Sequence, residues 1–221
     1  AFQPFLGDIW DRTLLERVFS SFKPDVVFHA AAYKHVPMQE NHPWEAILTN
    51  IQGTLNLINA AEDYNVNRFV LVSTDKAVNP TNIMGATKRI AEKLIQSKAI
   101  DSKVKYMAVR FGNVIGSSGS VIPTFQEQIR NGGPITLTDP GMKRYFMSIS
   151  EAAQLILQTG AMGSNGEIYV LDMGKPVNIK DIAYELIRLS GLEPEKDILI
   201  EYIGSRPGEK MFEELKTEEE K

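Results

Sequence analysis

The sequence predicts an α/β domain built on a doubly wound parallel sheet, and three observations carry that expectation. Short apolar runs alternate with longer segments of helical periodicity. The runs are apolar at consecutive positions rather than at every second one, as strands covered on both faces are. The order strand, helix, strand, helix repeats through the first half of the chain, which is the pattern of parallel strands joined by crossover helices.

The three runs are Asp25-Val26-Val27-Phe28-His29-Ala30, Arg68-Phe69-Val70-Leu71-Val72-Ser73 and Lys105-Tyr106-Met107-Ala108-Val109-Arg110-Phe111. Before the first, Trp10, Leu14, Leu15, Val18, Phe19 and Phe22 form a helical stripe that stops at Pro24. Between the first two, Trp44, Ile47, Leu48, Ile51, Leu55 and Ile58 recur at steps of three and four, so a helix over 43–64 turns one stripe to the sheet, with Pro43 in its first turn. Residues 83–100 read as another helix. After Phe111 the chain loosens around Gly112, Gly116, Gly119, Gly132, Gly133, Pro134, Pro140 and Gly141, the kind of loop-rich stretch where ligand-binding groups sit. A helix near 150–160, a strand near 167–172, a helix near 178–191 and a strand near 198–203 then describe a smaller C-terminal α+β lobe. The tail Thr217-Glu218-Glu219-Glu220-Lys221 reads as a solvated end.

Composition narrows the function classes. The 221 residues are 43% apolar and 24% charged, an ordinary globular balance. With 24 Lys+Arg against 28 Asp+Glu the formal net charge is -4, which excludes the broad basic face of a nucleic-acid binder. There is no cysteine, and His29, His35 and His42 lack zinc-motif spacing, so no metal site is expected. No apolar run approaches the roughly 18 residues of a membrane span, and Ala1-Phe2-Gln3-Pro4 lacks the order of a signal peptide. A cytoplasmic location without membrane contact from this piece is the expectation.

In an open parallel sheet ligands bind beyond the carboxyl ends of the strands. Those ends here are Ala30-Ala31-Ala32-Tyr33-Lys34-His35, Ser73-Thr74-Asp75-Lys76 and Gly112-Asn113-Val114-Ile115-Gly116. Ten residues past Thr74, Met84 and Lys88 stand one helical turn apart, on the same helix face. These residues resemble the extended short-chain dehydrogenase/reductase superfamily, whose Tyr-x-x-x-Lys pair follows a Ser/Thr-bearing strand end; Met84 holds the tyrosine position. Together with Arg110-Phe111-Gly112-Asn113-Val114 and Arg206-Pro207-Gly208-Glu209-Lys210, they resemble the large, often membrane-anchored UDP-N-acetylglucosamine 4,6-dehydratases of bacterial polysaccharide biosynthesis.

The resemblance implies a Rossmann-like sheet, a nicotinamide cofactor (NAD or NADP), a UDP-sugar substrate and a homo-oligomer. Residues 1–115 would be a partial dinucleotide-binding domain, and 116–221 mainly a substrate lobe with segments returning to the sheet. The implied reaction oxidises C4 of the hexose, which acidifies the C5 hydrogen; water then leaves across C5 and C6, and the hydride returns to C6. Asp75 would be the acid at O6, Lys76 the base at C5, Thr74 a donor to the C4 oxygen, and Lys88 the holder of the nicotinamide ribose, supported by Asn50. A thioether moves no protons, so with Met84 in place of tyrosine, Asp75 or Lys76 would also take the C4 hydroxyl proton. For Lys76 to act as a base its charge must be disfavoured, by burial or by Lys34 or Lys88. Asp8 and Ile9, Ala30, Ala31 and Ala32, Lys34, Ser73 and Phe111 complete the implied cofactor site. His35, Asn113, Val121, Thr136 of the Pro134–Leu137 uracil segment, Arg144, Arg206 and Glu209 form the implied substrate site, the two arginines meeting the diphosphate and Glu209 the uridine ribose.

No G-x-G-x-x-G turn occurs in the sequence. By resemblance the chain starts near the family's third strand, at Phe5-Leu6-Gly7-Asp8. A further upstream segment of about 30 residues or more is expected, together with weak dinucleotide binding by this piece alone. Without the resemblance, Met84 reads as a packing residue, Asp75 as a turn former, and Lys34 and Lys76 as surface lysines. On the same footing Arg144 is the partner of a surface carboxylate, Arg206–Glu209 a turn into a helix over Lys210–Leu215, and Trp10 and Trp44 are core. Two other functions stay open: a 4-epimerase, which needs the tyrosine that is missing, and a non-catalytic nucleotide-sugar-binding subunit.

Overall fold

The computed structural model describes residues 2–220; Ala1 and Lys221, the outer ends of the N-terminal segment and of the tail, lie outside them. In chain order the first half forms α1 (Arg12–Phe22), β1 (Val26–His29), α2 (Val36–Asn41), α3 (Pro43–Ala46), α4 (Thr54–Asp63), β2 (Arg68–Val72), α5 (Ile83–Lys98) and β3 (Lys105–Arg110). The second half adds β4 (Asn113–Val114), α6 (Val121–Arg130), β5 (Ile135–Leu137), β6 (Lys143–Arg144), β7 (Phe146–Met147) and α7 (Ile149–Met162). It ends with β8 (Ile168–Val170), β9 (Val177–Asn178), α8 (Ile179–Leu189) and β10 (Ile200–Tyr202).

All three apolar runs become strands of one parallel sheet in the order β1-β2-β3-β8, registered Val27 to Phe69, Phe69 to Tyr106 and Ala108 to Ile168. Alternation along each strand splits its apolar residues between two faces. Phe69, Leu71, Tyr106 and Ala108 pack with Leu15, Phe19, Leu57, Ile58, Ala91 and Ile95 of α1, α4 and α5. Val70, Met107 and Val109 pack on the opposite face with Ala152 of α7 and with Met147, Leu171 and Met173. Helices therefore cover both faces, as the Rossmann-like α/β expectation requires. A third cluster, Phe125, Ile129, Ile135, Leu137, Ile179, Ala183, Ile187 and Ile198, is the core of α6, α8, β5 and β10, where β5 and β10 pair in parallel.

Four expectations need correcting. Phe5-Leu6-Gly7-Asp8 is irregular, since no described strand offers it a ladder, although Ile9 just beyond packs into the α1–α4 core. Trp10 and Trp44 are not core: they are 48% and 78% exposed. The reason for Trp44 lies in the helix, which passes through a π-helical stretch, Ile47–Gly53, between α3 and α4. Wider turns rotate the faces that a steady count of 3.6 aligns, so the buried side becomes Ala46, Thr49, Asn50, Gly53 and Thr54 before it reaches Leu57 and Ile58. Lys210–Leu215 forms no helix, because side chains from elsewhere capture its carbonyls: Arg144 donates to those of Lys210 and Met211. The tail is no loose end, since Glu218–Glu220 makes a 3-10 turn and Glu220 pairs with the buried Arg110. Among the described residues no helix is long and apolar enough to cross a membrane.

Candidate active site

The carboxyl ends of β1, β2 and β3 open on one cavity of about 600 Å³. Ala30, Ala32, Tyr33, Lys34 and His35 form one wall; Ser73, Thr74 and Lys76 form the floor beside Phe111, Gly112 and Asn113; Met84 and Lys88 face in from α5. Val121 and the 117–120 loop cover one side, where Lys34 donates to the Ser118 carbonyl at 2.9 Å. The far wall, Ile149, Ala152, Ala153 and Ile156 of α7, escaped the sequence reading because an apolar helical stripe signals packing and nothing more.

Helix α5 reaches this position through a close approach. Asn82 caps it by accepting the Gly85 N–H at 2.7 Å, and a Cβ on Gly85 would lie 2.2 Å from the Lys76 carbonyl oxygen, so only glycine lets the helix start against the Asp75–Ala77 turn. Met84 and Lys88 are thereby set one turn apart along the cavity. The Lys88 ammonium makes no hydrogen bond or ion pair among the described residues. Burial lowers its pKa to about 8, against the pull of Glu92 one turn on.

Thr74, Asp75 and Lys76 form a bonded cluster. Asp75 is wholly buried, with its N–H donating to the Phe111 carbonyl at 3.0 Å. Its Oδ1 accepts both the Thr74 hydroxyl and the Lys76 ammonium at 2.9 Å. Its Oδ2 has no hydrogen-bond partner and lies where a Cβ on Gly112 would come within 3.1 Å. Thr74 and Lys76 thus line the cavity, while Asp75 stands directly behind them rather than on its wall. Lys34 is bound to Ser118, and the partners of the Lys76 ammonium are acids and an amide: Asp75, Asn113 Oδ1 at 3.5 Å and Glu213 Oε1 at 3.7 Å. Glu213 was missed, because an acid within Glu209-Lys210-Met211-Phe212-Glu213-Glu214 looks like part of a solvated run.

Asn50 lies behind the cavity wall and holds it. Its Oδ1 accepts the Tyr33 N–H at 2.8 Å, and its Nδ2 donates to the Tyr33 carbonyl and the Thr87 hydroxyl, both at 3.0 Å. Below it, His29 Nε2 bonds Thr54 Oγ1 at 2.8 Å, and burial, seconded by the charge of Lys88, lowers the pKa of His29 to about 3.

Several expected site residues lie elsewhere. Ala31, Asp8 and Ile9 do not line the cavity; Asp8 accepts the Trp10 N–H, and Ile9 packs against Gly53. Thr136 is held by Gln128, through its hydroxyl at 2.8 Å and its N–H at 3.2 Å. Arg144 spends its fork on the carbonyls of Lys143, Lys210 and Met211 and lies 3.8 Å from Glu209, so it ties down the C-terminal segment instead of presenting an open anion site. Glu209 also accepts the Arg206 N–H at 3.3 Å, whereas the Arg206 guanidinium is exposed and unpartnered among the described residues.

All of residues 1–221 match the polysaccharide biosynthesis protein family. The chain belongs to that family. It is 57% identical, over 99% of its length, to the capsular polysaccharide biosynthesis protein CapD of Staphylococcus aureus. It is 38% identical, over 98%, to a UDP-glucose 4-epimerase of Rickettsia bellii. The chain spans 37% of the first protein and 62% of the second. Among solved structures it superposes on Pen from Bacillus thuringiensis with a TM-score of 0.89 at 41% identity, covering 97% of this chain and 66% of that one. The family match, these relatives and the superposition agree with membership of the extended short-chain dehydrogenase/reductase superfamily.

Proposed function

We propose that the chain forms the catalytic part of a UDP-N-acetylglucosamine 4,6-dehydratase. The observation that carries this reading is the Thr74–Asp75–Lys76 cluster at the floor of the cavity that Met84 and Lys88 also line. An acid and an amine in direct contact suit an elimination, in which one proton leaves C5 and another joins the departing O6. A thioether at Met84 does not suit an epimerase, which exchanges the proton on O4 through a phenol.

NAD or NADP fits the residues present. Ala30 and Ala32 leave the backbone after β1 open to a flat ligand, and Lys88 presents a partnerless ammonium to the same space. Bound there, the nicotinamide supplies the oxidation at C4 and the reduction at C6 that bracket the loss of water. Lys88 then holds ribose hydroxyls and Asn50 keeps the Tyr33 wall in place. Thr74, whose hydroxyl donates to Asp75 at rest, donates to the C4 oxygen once Asp75 has taken up a proton.

Lys76 and Asp75 rest as an ion pair, so the acid–base assignment requires one internal transfer. The Lys76 N–H bond breaks, an O–H forms on Asp75, and the pair becomes a neutral amine, the base at C5, beside a neutral carboxylic acid, the acid for O6. Because Asp75 sits behind the cavity wall, its proton reaches O6 through the groups bonded to Oδ1. Arg206 is the exposed cation suited to the diphosphate, next to Glu209 for the uridine ribose. The exposed apolar residues Trp44, Ile47, Leu48 and Ile90 on α3, the π-helical stretch and α5 support a homo-oligomer.

The test is to incubate the intact parent protein with UDP-N-acetylglucosamine in deuterated water. The expected product has lost one water, is a 4-keto-6-deoxy sugar and carries deuterium at C5. A product of unchanged mass supports the epimerase; binding without turnover supports a nucleotide-sugar-binding subunit.

A further inference from the structure

We propose that Glu213 is a positioning residue for Lys76: its carboxyl, carried in by the C-terminal segment, holds the Lys76 ammonium at the cavity floor as a second acid beside Asp75. The inference rests on the dehydratase reading for its chemistry and on the packing of the C-terminal segment for its geometry.

Glu213 is 3% exposed although Phe212 before it is 45% exposed, and Glu214 beside it reaches outward to Asn79 and Lys210. A carboxyl leaves water only where something compensates it. The ion-pair partner of Glu213 is Lys76, whose ammonium lies 3.7 Å from Glu213 Oε1 and 2.9 Å from Asp75 Oδ1. Each of the two acids keeps one buried oxygen without a hydrogen-bond partner, Oε2 of Glu213 and Oδ2 of Asp75. Two buried carboxyls therefore share one ammonium.

Glu213 is not there by accident of a loose tail. Thr81 and Asn82 both donate to the Gly208 carbonyl at 3.0 Å, Lys210 donates to that of Val78 at 2.8 Å, and Arg144 holds those of Lys210 and Met211. On the other side of Glu213 the segment is fastened by Glu220 to Arg110. The charged groups facing Glu213 are Lys76, Asp75, Arg144 and Lys210; burial raises its proton affinity, Asp75 adds to the rise, and the three cations oppose it.

The positioning matters once Lys76 has passed its proton to Asp75. A neutral amine loses its Coulomb tether, and a flexible lysine stem then wanders. Glu213 and Asn113 are two acceptors other than Asp75 for the remaining N–H bonds, and they keep the nitrogen at the cavity floor for the C5 proton.

The test uses the full-length parent carrying Glu213→Gln or Glu213→Asp, with matched thermal unfolding as the folding control. First, without any sugar, acetic anhydride labelling of Lys76 is followed against pH by peptide mass spectrometry. Loss of the carboxylate in Glu213→Gln is expected to raise Lys76 labelling near neutral pH about 3- to 10-fold, with Glu213→Asp in between. Second, with UDP-N-acetylglucosamine, kcat is expected to fall about 10- to 100-fold while KM holds. Unchanged labelling in Glu213→Gln overturns the proposal, and so does a raised KM at constant kcat. Should Glu213→Gln fail to fold, Glu213→Asp decides by the same two readings. A labelling shift in a parent that does not dehydrate the sugar keeps Glu213 in its place and removes the dehydratase reading instead.

Discussion

Arg110 and Glu92 are joined by two hydrogen bonds, Nε to Oε1 at 2.7 Å and Nη2 to Oε2 at 2.8 Å, and neither side chain has exposed surface. The same carboxylate accepts the hydroxyl of Ser73, on the cavity floor, at 2.7 Å. One buried pair therefore ties α5 to the carboxyl ends of both β2 and β3. Glu92→Gln would leave the guanidinium buried with its main charge partner gone, a loss of about 3–5 kcal/mol. At roughly 2–4 °C per kcal/mol for a chain of this size, calorimetry is expected to show a Tm about 10 °C lower. A variant that melts with the wild type refutes the account.

Glu220 closes the same network from the tail, 2.6 Å from Arg110 Nη1. Its hydrogen bond from Arg110 lowers its pKa to about 2 from the usual 4.5. The sign follows: between those values the unfolded chain binds the proton and the folded one does not, so stability is full above pH 4.5 and falls as pH drops toward 2. Glu220 is partly open to solvent, so its worth is discounted to about 1 kcal/mol. Denaturant titrations of Glu220→Gln should be less stable than wild type at neutral pH and should converge with it in acid; a constant gap at every pH would rule this out.

What the sequence made legible was whatever depends on local patterning. Phe69 to Val72 and Tyr106 to Val109 announce buried parallel strands because every position is apolar, and Met84 with Lys88 announces a shared helix face because i and i+4 always share one. The misreadings come from distance. Trp44 looks like core until the π-helical stretch turns it outward, and no side-chain pattern encodes that wider turn. Glu220 and Glu213 look solvated until Arg110 and Lys76 are folded against them, and sequence order says nothing of those meetings. Arg144 looks like a match for a diphosphate until the fold gives its fork the carbonyls of Lys210 and Met211.

Asn50 shows how a residue off the cavity wall still governs it. Its amide pairs with both the N–H and the carbonyl of Tyr33 and reaches Thr87 on α5. Alanine would strand the N–H and carbonyl of Tyr33, at about 1–3 kcal/mol for each one left without water, while Thr87 keeps its bond to the Met84 carbonyl. Asn50→Ala is expected to lower stability and to loosen the 30–35 loop, read as faster amide hydrogen exchange at Tyr33. Protection of Tyr33 equal to that of the wild type would show that other contacts fix the loop.

Lys88 offers the sharpest check on the cofactor reading. Its pKa, lowered to about 8 by burial, makes the ammonium the majority form below that pH and the neutral amine the majority form above it. Ribose hydroxyls held by a charged donor gain about 1.5–3 kcal/mol per bond, so NAD or NADP affinity of the intact parent should weaken as pH rises through about 8. Reciprocity adds a second signature, because a ligand that prefers the ammonium raises its pKa and binding near pH 8 takes up a proton. Calorimetric titrations in buffers of different ionisation enthalpy measure that uptake directly. Lys88→Met should bind about tenfold or more weaker, with no proton uptake and a flat pH profile. If the wild-type affinity is itself flat across pH 8, the ammonium does not touch the dinucleotide, and the cavity beside Met84 must be read as holding the sugar alone.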